Sequence, residues 1–567
     1  MASLTPYTGL LGRRLAKHLL RRASFNVSKD RIDEFSIYTS EQAVSKLSIL
    51  PDKNLTQPIH YVNGALTQPS PWIDDDSIYG DVNVNNGSGA SKLRYFVVGW
   101  WLDEAKRDTS YRSKMAYFLY TDFTVASSNL NSQFGAFYDY LHLLDLFCLG
   151  DWKEFIFQMT KNPQMLNYLN NNQNTVTNPN ENYAREFLEL FTIGKGAQVG
   201  IGDYTNYTEN DVEEAARVLT GWKYHAVNTI NFPEKDRYRV TNGVEFGNIP
   251  CGFASSNRHD FGRKEFSNRL DNYVIEAWDT VGKTNAEKDA RVEAELKDFI
   301  ELILSKGETA KFICRKLYRF FVSREITVEI ENDIIVPLAV TFRANYNFQE
   351  VIDQLLKSQH FYDLDDSDST DEIIGGLLKS PLDLIMQTLT ITDYPVPDSI
   401  AQGKFHYQNF YYWQVVLNIM ELAGQNPFYP PSVAGFPPNY ESPDFDKFWF
   451  NSSTIIPRYN IADILLNPNK TKSIFYVTTF VDTNVSDPTD PTILVTELVE
   501  IMFPELLEQD RLNYFVNDIL LEGGETTPQM WADEWIVYKN TGDNVGVESM
   551  LKPLFRALTW SQEFQNN

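Results

Sequence analysis

Residues 178–196 read NPNENYAREFLELFTIGKG. At the ~100° per residue of an α-helix, Tyr183, Phe187, Leu190 and Phe191 fall in one apolar stripe. Asn178 and Pro179 supply a cap and a first-turn proline, and Gly194 supplies a stop, so the spacing predicts a helix between them. Glu181, Arg185 and Glu189 follow at i, i+4 and i+8, an ion-pair ladder that stabilises a helix without any further role. The same periodicity recurs along most of the chain. It predicts a mainly α protein, a compact multi-helix body with long ordered loops and small β-hairpins.

Toward the N-terminus, Leu11, Leu15, His18, Leu19 and Arg22 share one helix face, and Ser40 is placed to cap a short helix. Residues 51–91 are loop chemistry (PDKN, TQPSPW, NNGSGAS), and 93–149 return to a strongly aromatic helical pattern. Thr208 with Asp211 three residues on opens another helix, which Gly221 ends. Residues 225–270 are irregular, with the alternation YRVTNGVEF suggesting a small hairpin. Helical patterning resumes at 285–325 and 346–360, where KFICRKLYRFFVS suits a buried helix with an exposed basic side. The run DLDDSDSTDE (363–372) reads as a loop, followed by helix to residue 392. From 424, GQNPFYPPSVAGFPPNY reads as a loop ordered by its aromatics, and FVDTNVSDPTDPT (480–492) as a turn-rich one, before helices close the chain. The pattern divides the chain into an N-terminal helical region (1–224), an irregular segment with a possible hairpin (225–284), a central helical region (285–423), and an aromatic, proline-rich loop with C-terminal helices (424–567).

Composition narrows the function classes. The 567 residues are 43% hydrophobic and 14% aromatic, enough for a large core and for stacking or partner-binding surfaces. With 50 basic and 76 acidic residues the net charge is −26, which opposes phosphate backbones and anionic lipid, so no nucleic-acid partner is expected. YFVVGWWL (95–102) is far short of the ~20 residues of a membrane-spanning helix. The first residues read as a basic amphipathic helix without a secretory pattern, and a cytoplasmic location is the expectation. Cys148, Cys251 and Cys314 lack CxxC spacing, which argues against a disulfide framework or thiolate zinc site; Cys148 and Cys314 read as buried small hydrophobes. There is no P-loop, GxSxG elbow, HExxH or GxGxxG.

Glu186 lies three after Tyr183 and four before Leu190, at the border of the buried stripe. A half-buried carboxylate needs a cation, a metal or a proton, so Glu186 is a candidate ligand or acid/base group; pairing with an arginine or backbone amides is the structural alternative. His259 and Asp260, in RHDFGRK (258–264), are a second candidate, as ligand or general base, with turn stabilisation the alternative. His18 reads as a core histidine, and Arg21 and Arg22 as a solvated helix face that could also meet an acidic partner group. The acidic runs at 74–76 and 363–371 lack the spacing of a calcium loop and read as solvated.

Taken in order, seven stretches resemble the domain of unknown function 1800 family, a bacterial group: LAKHLLRRASF (15–25), KMAYFLYTDFTV (114–125), NPNENYAREFLELFTIG (178–194), YTENDVEEAARVLTGW (207–222), RHDFGRK (258–264), KFICRKLYRFFVS (311–323) and GQNPFYPPSVAGFPP (424–438). The resemblance implies no settled activity. It does imply a partner similar to the sulfatase/alkaline-phosphatase superfamily, encoded beside many relatives. Relatives commonly carry Trp-His-Asn-His where this chain has Leu119, Tyr120, Thr121 and Asp122, and Val-Ala-Gly-Trp where it has Val433, Ala434, Gly435 and Phe436. The paired histidines that would suit a metal are therefore gone, with Asp122 the one potential hard-metal ligand left among the four.

Two function classes follow. The first is a non-catalytic scaffold or assembly protein that binds a partner protein or itself, as a homo-oligomer, through acidic, aromatic-rich surfaces. The alternative is a metal-assisted hydrolase or oxidoreductase. It would take a divalent metal on Glu186, Glu189, His259 and Asp122, with Glu186, His259 and Asp260 catalytic, and act with the sulfatase-like partner.

Overall fold

The first helix, Gly12–Ala23, buries Leu15, Leu19 and Leu20 against the rest of the chain. His18 lies in the same core, its Nε2 2.9 Å from the Phe361 carbonyl. Arg21 and Arg22, expected on a solvated face, are buried as well. From Leu15 onward the helix is buried on every face, and backbone carbonyls replace water: Arg21 Nη2 donates to Met502 O at 2.6 Å and Arg22 Nη2 to Ile373 O at 2.7 Å. Burial lowers the two guanidinium pKa values to about 9 and about 10.

The computed structural model describes residues 2–49, 88–129, 134–224, 252–365, 373–397, 405–466 and 475–567, with the short strands at 59–60, 70–71, 237–238 and 249–250. It is mainly α, as the periodicity predicts, and the strands form two-stranded antiparallel pairs. Helix Ser88–Arg107 packs on Phe405–Met420, and Gly307–Phe321 on Val336–Asn345. Helix Asn285–Ser305 packs on both Trp152–Lys161 and Glu209–Val218. Buried apolar side chains join into one cluster that runs from Leu11 to Phe564. Among the described residues no helix is long and apolar enough to cross a membrane. Cys148 and Cys314 are buried free thiols whose pKa burial pushes up; Cys251 lies outside the described residues.

Local chemistry accounts for most boundaries. Thr208 and Asp211 form the expected capping box at the start of Glu209–Val218, and Gly221 follows at φ +87°. The short helix Ser40–Leu47 is capped by Thr39 rather than Ser40, because the Thr39 and Gln42 side chains satisfy each other's backbone amides. Of the expected hairpin at 238–246, strand Arg237–Tyr238 pairs with Ile249–Pro250, and the stretch between lies outside the described residues. The 480–492 loop begins later than expected, since Val477–Asn484 is helical and buries Phe480 and Val481.

The segment 178–196 departs from the wheel. Its helix starts at Asn182, not after Asn178, because Asn178 is held in a bridge with Thr175. Past Glu186 the backbone widens into a π-turn, Phe187–Phe191. An i→i+5 turn advances each side chain by a smaller angle than an α-turn. Leu188 is therefore buried in place of Leu190, which becomes half-buried, while Tyr183, Phe187 and Phe191 stay in the core.

Candidate functional site

The C-terminal end of helix Arg112–Asp122, the π-turn and helix Gly307–Phe321 meet around a cleft of about 390 Å³. Loop 424–438 covers one side of it. There Gly435, at φ +90°, lies so close to Thr121 O and Thr124 Cγ2 that a side chain would meet them at 3.4 and 3.0 Å. Thr124 Oγ1 donates to Val433 O at 2.6 Å, tying the loop to the helix end. The loop splits its aromatics: Phe428 and Phe436 are core residues, whereas Tyr429 and Tyr440 are exposed.

Asp122 and Glu189 both line this cleft. Asp122 is buried and its pKa is raised by that burial, against the pull of Lys316. Lys316 Nζ bonds the Asp122 carboxylate and also the Leu190 carbonyl, at 2.5 Å, with Phe312 4.6 Å beneath it. The π-turn is what turns Leu190 O and Glu189 toward this lysine and toward Lys195. Glu189 accepts from Lys195 Nζ at 3.1 and 3.2 Å and from the Tyr207 hydroxyl at 3.3 Å. A further pair, Arg324 with Asp446 at 3.1 Å, closes the floor, where Asp446 also accepts from the Leu378 amide at 2.7 Å.

Glu186, His259 and Asp260 do not line the cleft. Glu186 is half-buried, as its place in the sequence implies, and has no ion pair among the described residues. Burial first, then neighbouring Glu189, raise its pKa, against the weaker pull of Arg185 and Lys195. His259 is buried at a different junction. Its Nε2 meets Glu295 Oε2 at 3.2 Å, and its Nδ1 lies 2.9 Å from Thr220 O and 3.1 Å from Thr220 Oγ1. Lys264 Nζ donates to the same Glu295 oxygen at 2.7 Å, and Arg291 Nε donates to its other oxygen at 3.0 Å. His259, Lys264 and Glu295 side chains are fully enclosed. Gly221 closes this junction, since a Cβ there would stand 3.0 Å from the His259 Cβ. Asp260 pairs with Arg217 Nε at 2.7 Å and accepts from the Gly262 amide at 2.8 Å, which hold its pKa down despite its partial burial.

The five residues thus do not form one ligand set: Asp122 and Glu189 line the cleft, whereas Glu186, His259 and Asp260 do not. Among the described residues no group of three or more His, Cys, Asp or Glu side chains is arranged to hold a metal ion. The physical reason is visible at four of the five: Asp122, Glu189 and Asp260 each face a lysine or arginine, and His259 is engaged at both nitrogens. Glu295 is the residue that sequence reasoning missed. It sits between Val292 and Phe299 on a buried stripe, the same border position that singles out Glu186.

No curated protein and no solved structure matches this chain. A profile of the family described as protein of unknown function DUF1800 matches residues 18–565. That match covers nearly the whole of the sequence, including every element around the cleft, and the chain belongs to the DUF1800 family.

Proposed function

We propose that this chain is a non-catalytic scaffold or assembly protein, which binds a partner chain or copies of itself. The observation that carries the reading is the Lys316 ammonium on Asp122. Of the two positions where relatives carry the paired histidines, Tyr120 is in the core, 4.8 Å from Phe428, and Asp122 is neutralised by a protein cation. A carboxylate already paired with lysine is a poor metal ligand, because the ion must displace the ammonium and leave it without its partner. Exposed apolar side chains supply contact surface: Val199 and Ile201 on the Gln198–Tyr204 hairpin, and Trp560 stacked on Tyr459 at 5.9 Å beside exposed Ile456. What supports a metal-assisted alternative is Glu186, a half-buried carboxylate without a cation.

Size-exclusion chromatography with light scattering tests the proposal. A scaffold elutes as a defined oligomer, or with a co-purifying partner in fixed ratio, and Glu186→Gln leaves that behaviour unchanged. A monomer that binds no partner and turns over a metal-dependent substrate contradicts it.

A further inference from the structure

The charges of the cleft do not balance. Lys195, Lys316 and Arg324 each face a carboxylate, whereas Arg319 has none among the described residues. Its Nε donates a long bond, 3.4 Å, to Arg324 O, and its guanidinium lies 4.7 Å over the Phe445 ring. Stacking of this kind holds the planar fork in place without using its remaining donors. Arg22, buried behind the floor, adds the field of a further guanidinium near Asp446 and Arg324.

Hydrogen-bonding capacity is lopsided in the same sense. Two buried side-chain atoms of residues that line the cleft have no partner: Arg324 Nε and Asn439 Nδ2. Both are donors, and no lining residue leaves a buried acceptor open. Unused buried donors beside an uncompensated guanidinium call for a ligand that brings acceptors and negative charge. Much of the remaining wall is apolar, with Phe118, Phe312 and Phe320 in it, alongside Thr121 and Ser442. A chain of net charge −26 disfavours polyanions, so a small ligand with one charged group fits better than a nucleic acid.

We propose that this cleft is a binding site for a small oxyanion, a carboxylate, phosphate or sulfate carried on an apolar or aromatic body, with Arg319 as its principal anchor. Arg319 forks onto the oxyanion, the Arg324 and Asn439 side chains stand beside it with donors to spare, and the phenylalanines enclose the body. The site is independent of whether the protein is a scaffold, since it rests on the cleft alone.

Titration calorimetry of the full chain in low-chloride buffer tests this, with benzoate, phenyl phosphate and phenyl sulfate as anionic probes and benzyl alcohol as the neutral one. The expected result is saturable binding of at least one anionic probe and none of benzyl alcohol, with competition by inorganic phosphate or sulfate where the preferred head group is of that type. Arg319→Gln weakens the affinity at least about tenfold, the loss of one charge-assisted contact. Arg319→Lys, which keeps the charge but not the fork, falls between the two. Circular dichroism melts confirm that each variant is folded, and parent binding is read independently of either. Absence of saturable binding of every anionic probe to the parent, or undiminished binding to folded Arg319→Gln, overturns the proposal.

Discussion

The buried ion cluster at Glu295 shows what single charges do in this protein. Burial alone would raise the Glu295 pKa, but hydrogen bonds from His259 and Lys264 outweigh it and hold the pKa below the usual glutamate value. A depressed carboxylate contributes stability that is present above its unfolded pKa, ~4.3, and is lost as pH falls through the folded value. Glu295→Gln leaves Lys264 enclosed without its counter-charge, and is expected to cost about 3–5 kcal/mol in chemical denaturation at pH 7. Glu186 behaves in the opposite sense. Its raised pKa means that the ionised form is penalised in the fold, so its contribution is greatest below pH ~4.3 and is lost as pH rises through the folded value. Glu186→Gln should therefore raise the melting temperature at pH 7 and leave it unchanged near pH 4; a fall in stability at pH 7 would reveal an unrecognised cation or metal partner. The sequence shows that both carboxylates border buried stripes. It does not show their partners, because Lys264 and His259 reach Glu295 across 31 and 36 residues, and Lys316 reaches Asp122 across 194.

At the scale of elements, the helices were legible and their irregularities were not. A cap and apolar spacing placed the Glu209–Val218 helix, whereas periodicity alone gave 285–325 as one helical stretch, which the structure divides into Asn285–Ser305 and Gly307–Phe321. A wheel drawn at a fixed angle has no means of registering the π-turn at Phe187–Phe191, yet that turn brings Glu189 and Leu190 O to the cleft. Loop 424–438 has a similar lesson. Its aromatics foretold order, and the structure shows why: Phe428 adopts φ +62° and packs 4.9 Å from Trp101 and 4.8 Å from Tyr120. A left-handed conformation is costly for a bulky residue and persists where packing over-determines it. Phe428→Ala is expected to lose about 3–5 kcal/mol of stability. It should also increase hydrogen exchange at the Ser127 amide, which bonds Phe428 O at 2.8 Å; retention of parent-level protection there would show that the loop is held by Gly435 and Thr124 instead.

Over the whole molecule, acidity on the surface coexists with cations in the interior. Arg21, Arg22, Lys379 and Arg458 are buried and donate to carbonyls of Met502, Ile373, Phe564 and Lys379 respectively, which binds the first helix and the chain's last turns into one core. Lysine and arginine also serve as counter-charges to Asp122, Glu189 and Asp260, and the proposed role in association, in place of a metal centre, rests on these pairs. Elemental metal analysis across the sizing-column peak, beside a Glu186→Ala/His259→Ala variant, tests this most directly. The account predicts substoichiometric metal in both proteins, with the assembly peak of the parent intact. Near-stoichiometric metal in the parent, lost in a still-folded variant, would contradict it.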